Sequence, residues 1–192
     1  RNEQIKLLES VFMKIAYVVG SLSKESINRA LAEAIVELAP EGVEMVEGEI
    51  ADLPLFNRDN ENDFPEPARK FKDLMYEADG VLFITPEHNR SYSAPIHNAI
   101  EWASRPYGEW PLAGKPVATA GQSPSGIGAA VGQAQLRQSL LFFGPKLMSQ
   151  PEAYIDGTKT GVLEDGKITN EDSRAVIKQF IEAFVQFVAD NK

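Results

Sequence analysis

The sequence predicts one α/β domain built on a five-stranded parallel sheet of order 2-1-3-4-5, with helices on both faces. Three observations predict it. Short apolar or β-branched runs alternate along the chain with segments whose apolar residues recur at helical spacing, which implies right-handed crossovers between parallel strands. One run, Gly80 to Thr85, is apolar throughout, as a strand covered on both faces must be. With 192 residues, 43% hydrophobic and 24% charged, the chain is long enough to bury one core without disulfides or a structural metal.

In chain order, Lys14 to Val19 reads as the first strand and ends at Gly20. Ser26 to Leu38 is a helix with Ile27, Leu31, Ile35 and Leu38 on one face. A weaker strand, Val43 to Val46, is followed by an extended stretch, Ile50 to Phe56, and a polar loop, Asn57 to Pro67. Ala68 to Ala78 is the next helix and Gly80 to Thr85 the third strand, which Pro86 ends. Ala94 to Ser104 is a helix with Pro95 in its first turn, where a missing N–H costs nothing. Pro116 to Ala120 is the fourth strand, Ala129 to Phe142 a helix, Lys146 to Ile155 the last strand and Asn170 to Ala189 the final helix. Residues 1–12 precede Met13 and read as an N-terminal extension or an expression remnant, leaving 13–192 as the domain.

Composition narrows the function classes. A net charge of -9 opposes a partner held by a large basic surface, so nucleic acid is not expected. No apolar run approaches the ~20 residues that cross a bilayer, and no signal-like leader is present, so the expectation is a soluble cytoplasmic protein without a membrane partner. The absence of cysteine removes thiolate metal sites and a cysteine nucleophile, and the two histidines, His88 and His97, leave little for a histidine-based metal centre.

In a doubly wound sheet, ligands bind beyond the carboxyl ends of the strands, where the winding reverses. Three unusual loops open there. The first, Gly20 to Arg29, is rich in hydroxyls and leads into a helix N-terminus, a place where a phosphate gains hydrogen bonds without much basic charge. Its serines are equally good helix caps, and the loop alone leaves both readings open. There is neither a Walker loop nor a G-x-G-x-x-G fingerprint. The second loop, Thr85 to Pro95, is stiffened by proline at both ends and can offer backbone groups to the edge of a planar heteroaromatic ring, or can be a turn stabilised by Asn89. His88 has no identifiable partner for acid–base work, and the Asn89-Arg90-Ser91 glycosylation pattern is a chance match. The third loop, Gly121 to Gly128, carries three glycines that permit close approach to a ligand or simply relieve turn strain.

These segments resemble the NADPH-dependent FMN reductase family of flavodoxin-like fold, which includes bacterial quinone, chromate and azo-dye reductases. The likeness runs from Met13 almost to the C-terminus. It is carried by G-S-L-S-K-E-S-I-N-R (Gly20 to Arg29), T-P-E-H-N-R-S (Thr85 to Ser91), N-A-I-E-W-A-S-R-P (Asn98 to Pro106) and G-K-P-V (Gly114 to Val117). The resemblance implies that Ser21, Ser23, Ser26 and Asn28 surround FMN phosphate. It implies that Pro86, Glu87, His88, Asn89, Arg90 and Ser91 lie along the isoalloxazine, with Ser123, Ser125 and Gly126 on its other side. Ser23 replaces a frequent arginine and Glu25 a frequent glycine, which implies either weaker phosphate binding or compensation by Lys24 or Arg29; His88 replaces the tyrosine of P-E-Y-N, a change that bears on stacking, dimer contacts or flavin potential.

The expected activity is transfer of a hydride from NADPH or NADH through FMN to a quinone or another small acceptor. The flavin carries that chemistry, so no catalytic side chain and no metal are expected. Backbone N–H groups between Gln122 and Gly126 would face the ring edge where charge accumulates on reduction. Arg90 and Arg105 are candidates for a nucleotide 2′-phosphate or for plain surface ion pairs. Trp102, Tyr107 and Trp110 belong either to the core or to a subunit interface walling the flavin, and the resemblance implies a homodimer or homotetramer. The competing reading is a flavodoxin-type electron carrier, although the first loop lacks T/S-x-T-G-x-T. A phospho-receiver needs acids at the strand ends, where this chain has Val18-Val19-Gly20 and Ile84-Thr85.

Overall fold

Alternation within the strands builds the two-faced core. The structure, a computed structural model, describes residues 13–159 and 168–192; the expected N-terminal extension lies outside these residues. In β1 (Met13–Val19), Ile15 and Val19 face one side of the sheet and Ala16 and Val18 the other. The same split occurs in β3 (Gly80–Ile84), where Leu82 and Ile84 oppose Val81 and Phe83. Two hydrophobic layers result. One side is covered by α1 (Ile27–Leu38) and α5 (Glu171–Asn191), which contribute Leu31, Ile35, Phe180 and Phe184. The other is covered by α2 (Glu66–Glu77), α3 (Ala94–Ala103) and α4 (Ala130–Leu140), with Phe71, Ile96, Trp102 and Leu136. Each such side chain contributes about 1.5–3 kcal/mol by leaving water.

β2 (Val43–Glu47) lies outside β1, and β4 (Pro116–Ser123) follows β3, giving the parallel order β2-β1-β3-β4. The fifth position departs from the single strand expected over 146–155. It is filled by two short segments, β5 (Lys146–Leu147) beside Pro116 and Val117, and β6 (Ala153–Asp156) beside Ala120 to Ser123. Pro151, which cannot donate to a ladder, stands in the interruption. The order 2-1-3-4-5 therefore stands, with a divided last position. The Ala129–Phe142 helix is also shorter than expected: α4 ends at Leu140, a 3-10 turn spans Leu141–Phe143, and Gly144 closes it at φ +65°.

Register aligns the carboxyl ends of the strands. Val19 pairs with Ile84, Ile84 with Ala120, and Ser123 with Asp156. The loops after β1, β3 and β4 therefore leave from one rim. From β1 the chain crosses to β2 on one side and β3 on the other, so the crevice opens at that reversal. α3 runs back from this rim, so Arg105 and everything up to Lys115 belong to the opposite end of the sheet.

Candidate functional site

The floor of the crevice is made by glycines. Gly20 donates its N–H to Ile84 O at 2.8 Å, and a Cβ there would stand 2.5 Å from Ile96 Cδ1 and 2.6 Å from Ser93 Oγ. A Cβ at Gly121 would stand 2.4 Å from the Thr85 carbonyl oxygen. The first, second and third loops can meet only because neither position carries a side chain.

In the first loop, Ser26 is the N-cap of α1, its Oγ accepting from Arg29 N at 3.1 Å. Ser21 is half-buried and Ser23 exposed. The N–H groups of Ile27 and Asn28 belong to the first helical turn and have no intrahelical acceptor. The Asn28 side chain is committed to the third loop. It is 2% exposed, its Oδ1 accepts from Gln122 N at 2.8 Å, and its Nδ2 donates to Gln122 O at 3.0 Å. It clamps the first loop to the third. The Gln122 N–H is thereby committed, which leaves Ser125 and Gly126 as the outward candidates from the expected Gln122–Gly126 stretch. Arg29 is also committed: its guanidinium meets Glu47 at 2.7 Å, which raises its pKa, so the cation near the loop is the exposed Lys24.

In the second loop, His88 and Ser91 exchange two backbone hydrogen bonds of 2.9 Å, closing a tight turn with Asn89 at φ +52° and Arg90 at φ +63°. His88, Asn89 and Arg90 are exposed and Ser91 is half-buried. Pro86 is buried at the base of the loop, where its carbonyl accepts from Thr85 Oγ1 at 2.7 Å. Glu87 faces inward with its side chain 8% exposed, and its Oε2 accepts from the N–H groups of Val131 and Gly132 at 3.0 and 3.1 Å. Its other oxygen meets Arg90 at 3.3 Å. The Glu87 side chain thus clamps the second loop to the first turn of α4.

In the third loop, Ser123 Oγ donates to Ser125 O at 3.0 Å and lies 3.2 Å from Ser125 Oγ. Residues 124–127 are exposed, so Ser125 and Gly126 form the open lip. Gly128 adopts φ +59°, and a Cβ there would stand 2.4 Å from the Tyr154 carbonyl carbon. Asp156, one residue beyond the strand end expected from sequence, has Oδ2 3.6 Å from the position a Gly126 Cβ would take. Hydrogen bonds from Thr158 hydroxyl and N–H, with Lys159 nearby, hold its carboxyl below the usual carboxylate range, so an ionised acid borders the lip.

A 680 Å³ cavity shares Ser91 with the turn and is bounded by Leu55, Tyr92, His97 and Ser139. Tyr92 Oη lies 2.5 Å from His97 Nδ1 and donates to Ser139 Oγ at 3.0 Å. Sequence reading missed this trio because the three side chains meet across two helices. The arginines are separated, with Arg90 on the rim and Arg105 at the far end over the Phe56 ring at 5.2 Å, so they do not share one nucleotide phosphate. Trp102 is wholly buried in the core, whereas Tyr107 and Trp110 cluster with Phe142 and Phe143 at the strand-start end. Within one chain these aromatics do not wall the crevice.

The model of the NADPH-dependent FMN reductase family matches residues 13–160. The chain is 41% identical over 180 residues to a 2-hydroxy-1,4-benzoquinone reductase of Burkholderia sp, covering 94% of this chain and 98% of that protein. It is 42% identical over 179 residues to a quinone reductase of Pseudomonas putida, covering 93% and 96%. Among solved structures it resembles FerB, a flavoenzyme NAD(P)H:(acceptor) oxidoreductase from Paracoccus denitrificans, with TM-score 0.87, 42% identity, and coverage of 93% of this chain and 98% of that one. A flavodoxin variant from Pseudomonas aeruginosa superposes with TM-score 0.55 at 18% identity over 90% of this chain and 99% of that one, a likeness of fold alone. The resemblance seen in the loop motifs thus extends across the chain, in sequence and in backbone, to reductases rather than to electron carriers: the protein belongs to the NADPH-dependent FMN reductase family.

Proposed function

We propose that the protein binds FMN at the three-loop rim and works as an NAD(P)H-dependent oxidoreductase whose electron acceptor is a quinone or a related small molecule. The observation that carries this reading is the cradle itself: three loops converge on glycine-lined contacts at one rim, where Ser21, Ser23 and Ser125 offer hydroxyls and the start of α1 offers peptide N–H groups. FMN suits that donor set. A phosphate at the start of α1 meets the N–H groups of Ile27 and Asn28 and the hydroxyls of Ser21 and Ser23, within the positive end of the helix dipole.

When bound, FMN supplies the hydride chemistry between nicotinamide and acceptor. The chain's own groups bind and orient. The turn His88 to Ser91 offers its peptide edge to the ring, and the Ser125 and Gly126 N–H groups favour negative charge at the ring edge. Arg90, 67% exposed, stands on the rim with one guanidinium nitrogen on Glu87 and is our candidate cation for a nucleotide phosphate.

No helix among the described residues is long and apolar enough to cross a membrane, and we place the protein in the cytoplasm, where NAD(P)H is supplied. We assign a homo-oligomer on the exposed apolar residues Tyr107, Leu141 and Phe142. The reading is tested with purified protein and FMN: NAD(P)H should bleach the flavin absorbance and a quinone should restore it. No bleaching with either nucleotide refutes it. Light scattering should give a species larger than 21.1 kDa; a monomer at all concentrations refutes the oligomer.

A further inference from the structure

Glu87 spends a buried carboxylate on a contact that fixes one loop against another. Its partners, Val131 N and Gly132 N, lie in the first turn of α4, where a negative charge gains both hydrogen bonds and the helix dipole. Two further observations concern the same contact. Gly132 lacks a side chain where a Cβ would stand 3.0 Å from Ser91 O and 3.4 Å from Glu87 Cα, so the turn sits directly on the first turn of α4. Asn89 and Arg90 are both left-handed, a conformation that asparagine tolerates in a tight turn but that is unfavourable for arginine and persists there where surrounding contacts impose it. The imposing contacts are the His88–Ser91 bond pair, the Glu87–Arg90 contact and the seat on α4.

We propose that Glu87 is a positioning residue: by capping α4 it holds the His88–Ser91 turn at one height against the third loop, so that the two loops meet the flavin ring as a preformed surface. The inference rests on the FMN reading. Glu87 needs no contact with the ring. It acts through the turn it carries, and the two N–H bonds rather than the carboxylate charge are the agent: a glutamine carbonyl can accept the same two N–H groups while its amide nitrogen gives up only the contact with Arg90.

The test compares Glu87→Ala, Glu87→Gln and Lys115→Met. Lys115 donates to the Tyr76 and Ala78 carbonyls at the far end of the sheet, so its loss lowers stability without touching the rim. By fluorescence titration, Glu87→Ala should weaken FMN binding about tenfold and shift the bound-flavin absorbance bands, while Glu87→Gln and Lys115→Met stay within about twofold of the parent. Equal weakening in Glu87→Ala and Lys115→Met would reduce the effect to general stability and overturn the proposal. Weakening in Glu87→Gln as large as in Glu87→Ala would make charge the agent, and also overturns it. Hydrogen exchange of the apoprotein provides a readout without flavin. The His88, Ser91, Val131 and Gly132 amides should exchange at least about tenfold faster in Glu87→Ala, at parental rates in Glu87→Gln, and without change in the β3 and β4 ladder. If the parent binds no FMN, the functional reading fails while exchange still decides the clamp; unchanged exchange in Glu87→Ala refutes the clamp itself.

Discussion

Asn28 shows how much one side chain at the rim decides. Its amide satisfies both the N–H and the C=O of Gln122, 94 residues away in sequence, in a place where water does not reach. Asn28→Ala removes both partners at once and should cost about 2–4 kcal/mol, measured as a lower urea midpoint at unchanged slope. A loss below about 0.5 kcal/mol would mean that water replaces the amide. Lys72 makes a second residue-scale case. Its ammonium donates to the Arg105 carbonyl between the Phe64 and Tyr76 rings, with Glu109 at 3.8 Å, and burial pulls its pKa below the ordinary 10.5. Between the lowered folded value and 10.5 the unfolded chain binds more protons, so this group makes stability rise with pH across that window. Lys72→Met deletes the contribution. The slope of unfolding free energy against pH should be more positive in the parent than in Lys72→Met just below pH 10.5, and parallel slopes would reject the assignment.

At the scale of elements, the end of β4 is where backbone meets backbone. A Cβ at Gly121 would face the Thr85 carbonyl at 2.4 Å and Ala129 Cβ at 2.9 Å, whereas one at Gly126 meets only Asp156 Oδ2 at 3.6 Å. Gly121→Ala should therefore cost about 2–3 kcal/mol and separate the second loop from the third, while Gly126→Ala costs under about 0.5 kcal/mol. Thermal unfolding of the pair checks this, and equal melting temperatures would refute it. The same contrast explains what the sequence disclosed. Runs such as Gly80 to Ile84 and the Ile177, Phe180, Ile181, Phe184 stripe declare their elements because burial imposes a local period. The division of the fifth strand had a local sign in Pro151, but the cap of α4 by Glu87 and the commitment of Asn28 were not legible, because each is made by partners far apart in the chain. Glu87 and Val131, 44 positions apart, share no spacing rule. The motifs located the loops correctly at one rim, but a motif does not say which of its side chains face out and which hold the loops together.

For the whole molecule, the governing fact is a net charge of -9 around a cradle proposed to take a phosphate dianion. Arg29 is paired with Glu47, Arg90 with Glu87, and Asp156 is ionised at the lip, so local basic charge is scarce. Attraction then comes from the α1 N-terminus and hydroxyls, which act within a few ångströms, while repulsion from the rest of the surface acts over longer distances. Added salt screens the long-range part more completely, since the Debye length falls from about 10 Å at 0.1 M to about 3 Å at 1 M. FMN affinity should therefore stay level or rise between 0.05 and about 0.5 M salt, the reverse of a site built on lysine and arginine. Titrations at both ionic strengths, with Lys24→Gln alongside, distinguish the two designs. If affinity falls several-fold with salt in the parent and Lys24→Gln abolishes that fall, Lys24 supplies the missing cation and the helix-terminus account is wrong. If both proteins give level or rising affinity, an acidic chain holds its anion through peptide dipoles placed where its own field is locally reversed.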